Sequence, residues 1–221
     1  MNLFLIANII ACAGALGGFA YGAIRFFRPR AAIYPQMVTL ACGVIAFGRL
    51  YQIIRIVTIN DVLEHFHLGI LATVGSLLFL FAANFGAIDS LVDDGSAALR
   101  KYRIIPLAAP AVVLIDYLTL FLFADQPTLT KVIAGIISVV VGAASYFNLK
   151  HLIIPDVDYG VVRCLRQYNL LALIYEFLCL ADLIAQSRER EFAAFLFGIL
   201  IGIILPLIVI SVDRGVKKWS A

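Results

Sequence analysis

Charge is scarce in this chain. Asp, Glu, Lys and Arg make up 14% of its 221 residues, against roughly 25% in soluble domains, and 63% of the residues are hydrophobic. A mean hydropathy of +1.01 is the composition of a polytopic membrane protein, because a soluble fold cannot hide so much apolar surface. Basic runs and acidic tails are also missing, which argues against a nucleic-acid partner. The chain has three histidines, and His65, His67 and His151 all fall at the ends of apolar stretches, where they cannot hold a membrane haem. The last apolar stretch, "FAAFLFGILIGIILPLIVISV", has no lysine for a retinal Schiff base. Cys12, Cys42, Cys164 and Cys179 are scattered singly, without a C-x-x-C pair, and read as small core hydrophobes. There is no G-x-S-x-G, H-E-x-x-H or phosphate-binding glycine loop. No cofactor is expected, and the balance leans away from an enzyme.

What the chain does have is apolar length. Hydropathy with charged or Pro/Gly breaks places spans near 2 to 24, 34 to 57, 67 to 91, 104 to 123, 131 to 153, 161 to 186 and 192 to 212. The fold class expected is therefore all-α, a single seven-helix transmembrane domain over 1 to 221. The start carries no positive charge before its apolar run and three arginines after it, so it reads as a first spanning helix and not a cleaved signal peptide. Short loops predict that sequential helices lie side by side.

Orientation follows from where Lys and Arg fall. One side collects Arg25, Arg28, Arg30, Arg100, Lys101, Arg103, Lys150, Arg163, Arg166, Arg214, Lys217 and Lys218. The other has Arg49, Arg55, Lys131, Arg188 and Arg190. The first side is expected to be cytoplasmic, with the N-terminus outside, the C-terminus inside, and the plasma membrane as the multi-pass location.

Small residues mark close helix contacts in lipid. Gly14, Gly18 and Gly22 repeat at four-residue spacing in span 1; Gly135, Ser138, Gly142 and Ser145 follow in span 5, and Gly198 and Gly202 in span 7. They read as packing seams within the chain, with a homodimer seam as the alternative. Pro106 and Pro110 begin span 4, where missing N–H groups cost little, and Pro206 inside span 7 predicts a kink.

The informative residues are the polar ones inside the spans. At about 1.5 Å per residue, Arg49, Asp116 and Glu176 lie roughly 10 to 15 Å below the outer surface, each on a different helix. Intramembrane charges usually face the bundle interior and mark function. Together the three sum to one negative charge, a surplus that a low-dielectric site relieves with a proton or a bound cation. A shallower tier holds Arg55, Asp182, Glu64, His65 and His67, with Arg55 close enough to a helix end to snorkel. Tyr51, Gln52, Tyr117, Tyr168, Asn169 and Tyr175 supply hydrogen-bonding neighbours, and Tyr168, Tyr175, Cys179 and Asp182 share one face of span 6. The candidate binding set is thus Arg49, Gln52, Asp116, Glu176, Tyr175 and Asp182, around a cavity open to the outside. A structural salt bridge of Arg49 is the competing reading.

Other motifs fail on inspection. "DVLEHFHLG" offers Asp61, Glu64, His65 and His67, but on a helix positions 65 and 67 point roughly 200° apart, so no metal site is expected. "IPDVDYG" has Asp156 and Asp158 without a complete calcium loop. In "DSLVDDGSAALRKYR", Asp94, Gly95 and Ala98 match the D-G-x-x-A-R core of the CDP-alcohol phosphotransferases. There, however, Leu99 intervenes before Arg100 and the other aspartates are absent, which leaves a basic, membrane-facing loop. Seven spans with an outside N-terminus is also the topology of the SWEET transporters and the KDEL receptor. The three-helix repeat of those proteins is not found, and topology alone is only an analogy.

The expectation is a small-solute or cation/proton-coupled transporter, or a solute-binding protein. Its partners would be membrane lipids and a proton or a small cationic or zwitterionic solute. A receptor or sensor subunit acting through partners is the first alternative, and a lipid-modifying membrane enzyme the second.

Overall fold

The architecture comes from a computed structural model that describes residues 3–29, 32–59, 68–155, 161–188 and 190–219. Among these residues all regular structure is helical, and seven helices are long and apolar enough to cross a membrane. They are α1 (Leu3–Phe26), α2 (Ile33–Ile59), α3 (Leu68–Gly86), α4 (Ala97–Leu122), α5 (Thr128–Ile153), α6 (Val161–Ser187) and α7 (Glu191–Trp219). The expected spans match these within a few residues, apart from two ends. Helix α4 begins earlier than 104, and α7 runs past 212, where Lys217 bonds Asp213 one turn back at 2.6 Å. Helix α7 also continues through Pro206.

Six helices close a ring in the order α1, α2, α3, α5, α6, α7, and α4 packs outside it, chiefly on α5. The sequential-neighbour expectation therefore fails at α3 and α4. The reason lies in chemistry: Asn84 of α3 and Asp89 and Asp93 just after it bond Asn148 and Lys150 of α5, whereas α4 has an apolar, largely unburied surface.

Small residues draw the ring closed. A methyl group on Gly14 would land on the Gly202 carbonyl oxygen, and one on Gly22 would strike the Thr39 side chain. The α1 and α7 seams thus face one another and α2 within one chain. In span 5, Gly135 and Gly142 face Tyr117 and Pro110 of α4 instead. The outward face is apolar, with Phe123, Val139 and Phe47 between 71% and 79% exposed. Asn8, Asn84, Asn148, Asn169 and Glu176 are buried inside. Lipid on the outside and polar groups satisfied within is the arrangement expected of a spanning bundle.

One irregularity shapes the interior. The last turn of α3 passes into the π-helical segment Ala83–Ile88, and a short α-helical turn, Asp89–Val92, follows it. Residues five apart stand about 140° apart on an α-helix. The i→i+5 bonding of a π turn stacks them one above the other. Asn84 and Asp89 are five apart, and both reach α5.

Candidate functional site

The polar interior is a column with three levels. At its centre, Glu176 of α6 has no solvent exposure. Its Oε1 accepts a bond from Asn148 Nδ2 at 2.5 Å, and Asn148 Oδ1 accepts one from Asn84 Nδ2 at 2.7 Å. The second carboxylate oxygen, Oε2, has no partner, nor has Asn84 Oδ1. Tyr168 lies beside Asn84, near enough to sense the Glu176 charge, and its hydroxyl also lacks a well-formed hydrogen bond. Among the described residues no lysine or arginine pairs with Glu176. An ionised carboxylate buried without a counter-charge is costly.

Toward the end of the bundle poor in Lys and Arg, about 9 Å along α6 from Glu176, Asp182 pairs with Arg49 of α2 at 3.2 Å, both side chains 8% exposed. Arg49 also donates to Asn8 Oδ1 of α1 at 3.1 Å and to Gln52 Oε1 at 3.4 Å. Three helices are thereby tied at one guanidinium, whose fork suits several acceptors. A cavity of about 40 Å³ adjoins the pair, lined by Arg49, Gln52, Thr73, Cys179, Asp182 and Gln186 among others. At about 10–15 Å³ per water centre it has room for a few waters.

The opposite level, rich in Lys and Arg, is a denser network. Lys150 of α5, itself buried, holds Asp89 at 2.6 Å and Asp93 at 2.8 Å. His151 Nε2 lies 3.1 Å from Asp89 Oδ1, and Arg103 Nε 3.0 Å from Asp93 Oδ2. Arg103 also donates to the Ser96 carbonyl oxygen. Burial works to raise Asp89 and Asp93. Hydrogen bonds from His151 and Lys150 to Asp89, and from Lys150 and the Gly95 amide to Asp93, outweigh it and hold both below the usual carboxylate range. A separate cluster pins α1 to α7, where Asp213 accepts from Tyr21 at 2.8 Å and faces Arg25 at 3.6 Å.

The candidate residues from sequence are thus only partly brought together. Arg49, Gln52 and Asp182 meet directly, while Glu176 stands a level away with Asn148. Tyr175 is fully buried and shares a hydrogen bond with Ser76 of α3 at 2.9 Å. Asp116 lies on the peripheral α4, partly exposed, and joins neither level. The charge is divided differently: Arg49 and Asp182 cancel, Asp116 lies at the periphery, and among the described residues Glu176 is left in the interior without a counter-charge. Arg55 places its guanidinium 6.0 Å from the Tyr51 ring. Asp61, Glu64, His65, His67, Asp156 and Asp158 lie outside the described residues. Among the described residues no group of three or more His, Cys, Asp or Glu could hold a metal ion.

Sequence reasoning passed over Asn8, Ser76, Asn84, Asn148 and the Lys150 network. The asparagines were visible as amides within apolar runs, "LFAANFGA" and "SYFNLKH". No protein-family model matches the chain, and no curated protein or solved structure matches it either.

Proposed function

We propose that the chain is a plasma-membrane carrier for a proton or a small cation, with Glu176 as the group that takes it up midway across the bilayer. Glu176 is the observation that supports this reading: a carboxylate with no exposure, one unpartnered oxygen and no basic partner among the described residues. The positive-inside rule puts the Lys/Arg-rich level in the cytoplasm and the Arg49–Asp182 level outside. Two ion-paired levels then close the column, one on each side of Glu176, which suits a carrier caught between openings. The cavity beside Arg49 favours an ion over a larger solute on volume alone.

The test is flux in proteoliposomes loaded with a pH-sensitive or cation-sensitive dye under an imposed gradient and membrane potential. Wild type should exceed protein-free vesicles, and Glu176→Gln should fall to their level. Equal flux in wild type and Glu176→Gln refutes the reading. Binding at Glu176 without flux would instead support a sensor.

A further inference from the structure

His151 is only half used by the salt-bridge network around it. Its side chain is 1% exposed, Nε2 faces Asp89, and Nδ1 is buried without a partner. Buried imidazoles normally satisfy both ring nitrogens. If Nε2 carries the hydrogen shared with the Asp89 carboxylate, Nδ1 presents a free lone pair. His151 lies three residues after Asn148 on α5, hence one turn away on the same side of the helix, and Asn148 is the residue that holds Glu176. Two unpartnered proton acceptors, Glu176 Oε2 and His151 Nδ1, therefore flank one asparagine.

We propose that His151, backed by Asp89, is the proton port of the central site, connecting Glu176 to the Lys/Arg-rich end, so that the ion carried is a proton. The inference rests on the carrier reading above and names its substrate. In the transfer, the O–H bond of the Glu176 carboxyl breaks and an N–H bond forms at His151 Nδ1, directly or through one water. Glu176 becomes a carboxylate and His151 an imidazolium facing Asp89. The imidazolium then loses its Nε2 proton to Asp89 Oδ1, and the Asp89 carboxyl passes it to water. Exchange with water, which removes the Nδ1 proton and supplies one to Nε2, restores the starting tautomer. Atoms and charge balance at each step, and no co-reactant is needed.

The surroundings fit this direction. Asp89 is the solvent-touching member, with a side chain 22% exposed, and the network holds its carboxyl low, so a proton that arrives there leaves readily. Lys150, Asp93 and Arg103 are the other charged groups of the network, and with Asp89 they balance to zero. Toward the opposite end the column meets Arg49, whose guanidinium does not release a proton. A metal ion would need more anionic or thiolate ligands than this column offers among its described residues.

The experiment is proton flux in proteoliposomes of the full chain, comparing wild type, His151→Ala, His151→Gln, Asp89→Asn and Glu176→Gln, each checked for folding by its thermal melt. His151→Ala and His151→Gln should lose about 100-fold, the lower range for a positioned acid–base group. Added imidazole should restore part of the His151→Ala flux and none of that of Glu176→Gln. Wild-type flux in both folded His151 variants, with Glu176→Gln inactive, overturns the port and leaves the carrier standing. Flux in wild type that follows a sodium gradient and ignores pH overturns the proton as substrate. Wild-type flux no higher than protein-free vesicles overturns the carrier itself.

Discussion

Lys150 offers the sharpest perturbation of the basic level, because its ammonium is buried between two carboxylates at 2.6 and 2.8 Å. Lys150→Met keeps the stem and removes the charge, leaving Asp89 and Asp93 with one cation, Arg103, between them. Breaking a buried ion pair by removing one partner costs about 3–5 kcal/mol. Here Arg103 still holds Asp93, and Asp89 keeps His151 and some water, so the cost should sit near about 3 kcal/mol. That is on the order of 100-fold in the unfolding equilibrium. The assay is an SDS titration in mixed micelles followed by far-UV circular dichroism. Asp89→Asn placed in the Lys150→Met background should recover part of the loss, because it removes the uncompensated charge. The network also sets a pH dependence. Asp89 and Asp93 titrate lower in the folded chain than in the unfolded one. Their contribution is complete above the unfolded value of about 3.9 and is lost as pH falls from there through the lower folded values. Wild type should therefore lose stability more steeply below about pH 4 than Lys150→Met does. A Lys150→Met protein within about 0.5 kcal/mol of wild type, the range of a surface change, would refute the reasoning.

The same logic gives three further expectations. Arg49→Met should destabilise the bundle by about 3–5 kcal/mol in the SDS titration, and Asp182→Asn in that background should restore part of it, since the pair cancels in charge. Gly14→Leu should cost more than the about 1–3 kcal/mol of ordinary overpacking, because the new side chain meets backbone and not a movable side chain; loss of the monodisperse folded peak in detergent is the readout. Asp116→Asn should leave unfolding within about 0.5 kcal/mol and proton flux unchanged, which a flux measurement beside Glu176→Gln checks directly.

The bundle was legible in the sequence because its cause is local: an apolar run of the right length needs no partner to identify it. The site was only half legible because its cause is mutual. Shared depth groups Arg49, Asp116 and Glu176, and depth follows from counting residues, whereas contact depends on which way each helix faces. Asp182 and Glu176 show the difference. Six residues apart on α6, they stand about 120° apart around the axis, so Arg49 on α2 can meet one while Asn148 on α5 meets the other. The π turn of α3 was unreadable for a related reason. A 3.6-residue period puts Asn84 and Asp89 on different faces, and only the observed change of winding brings both to α5.

That separation carries the functional argument further than the expected trio would have. A trio of Arg49, Asp116 and Glu176 could have shared its surplus charge through a salt bridge and served packing alone. With Arg49 satisfied by Asp182, Asn8 and Gln52, no described cation relieves Glu176, and burying it that way is costly to stability. Replacing Glu176 by an apolar residue of similar volume removes that cost and should stabilise the bundle. Glu176→Met therefore poses the question in a single protein. Higher stability with flux abolished identifies the carboxylate as kept for its chemistry, and lower stability with flux intact identifies it as part of the packing.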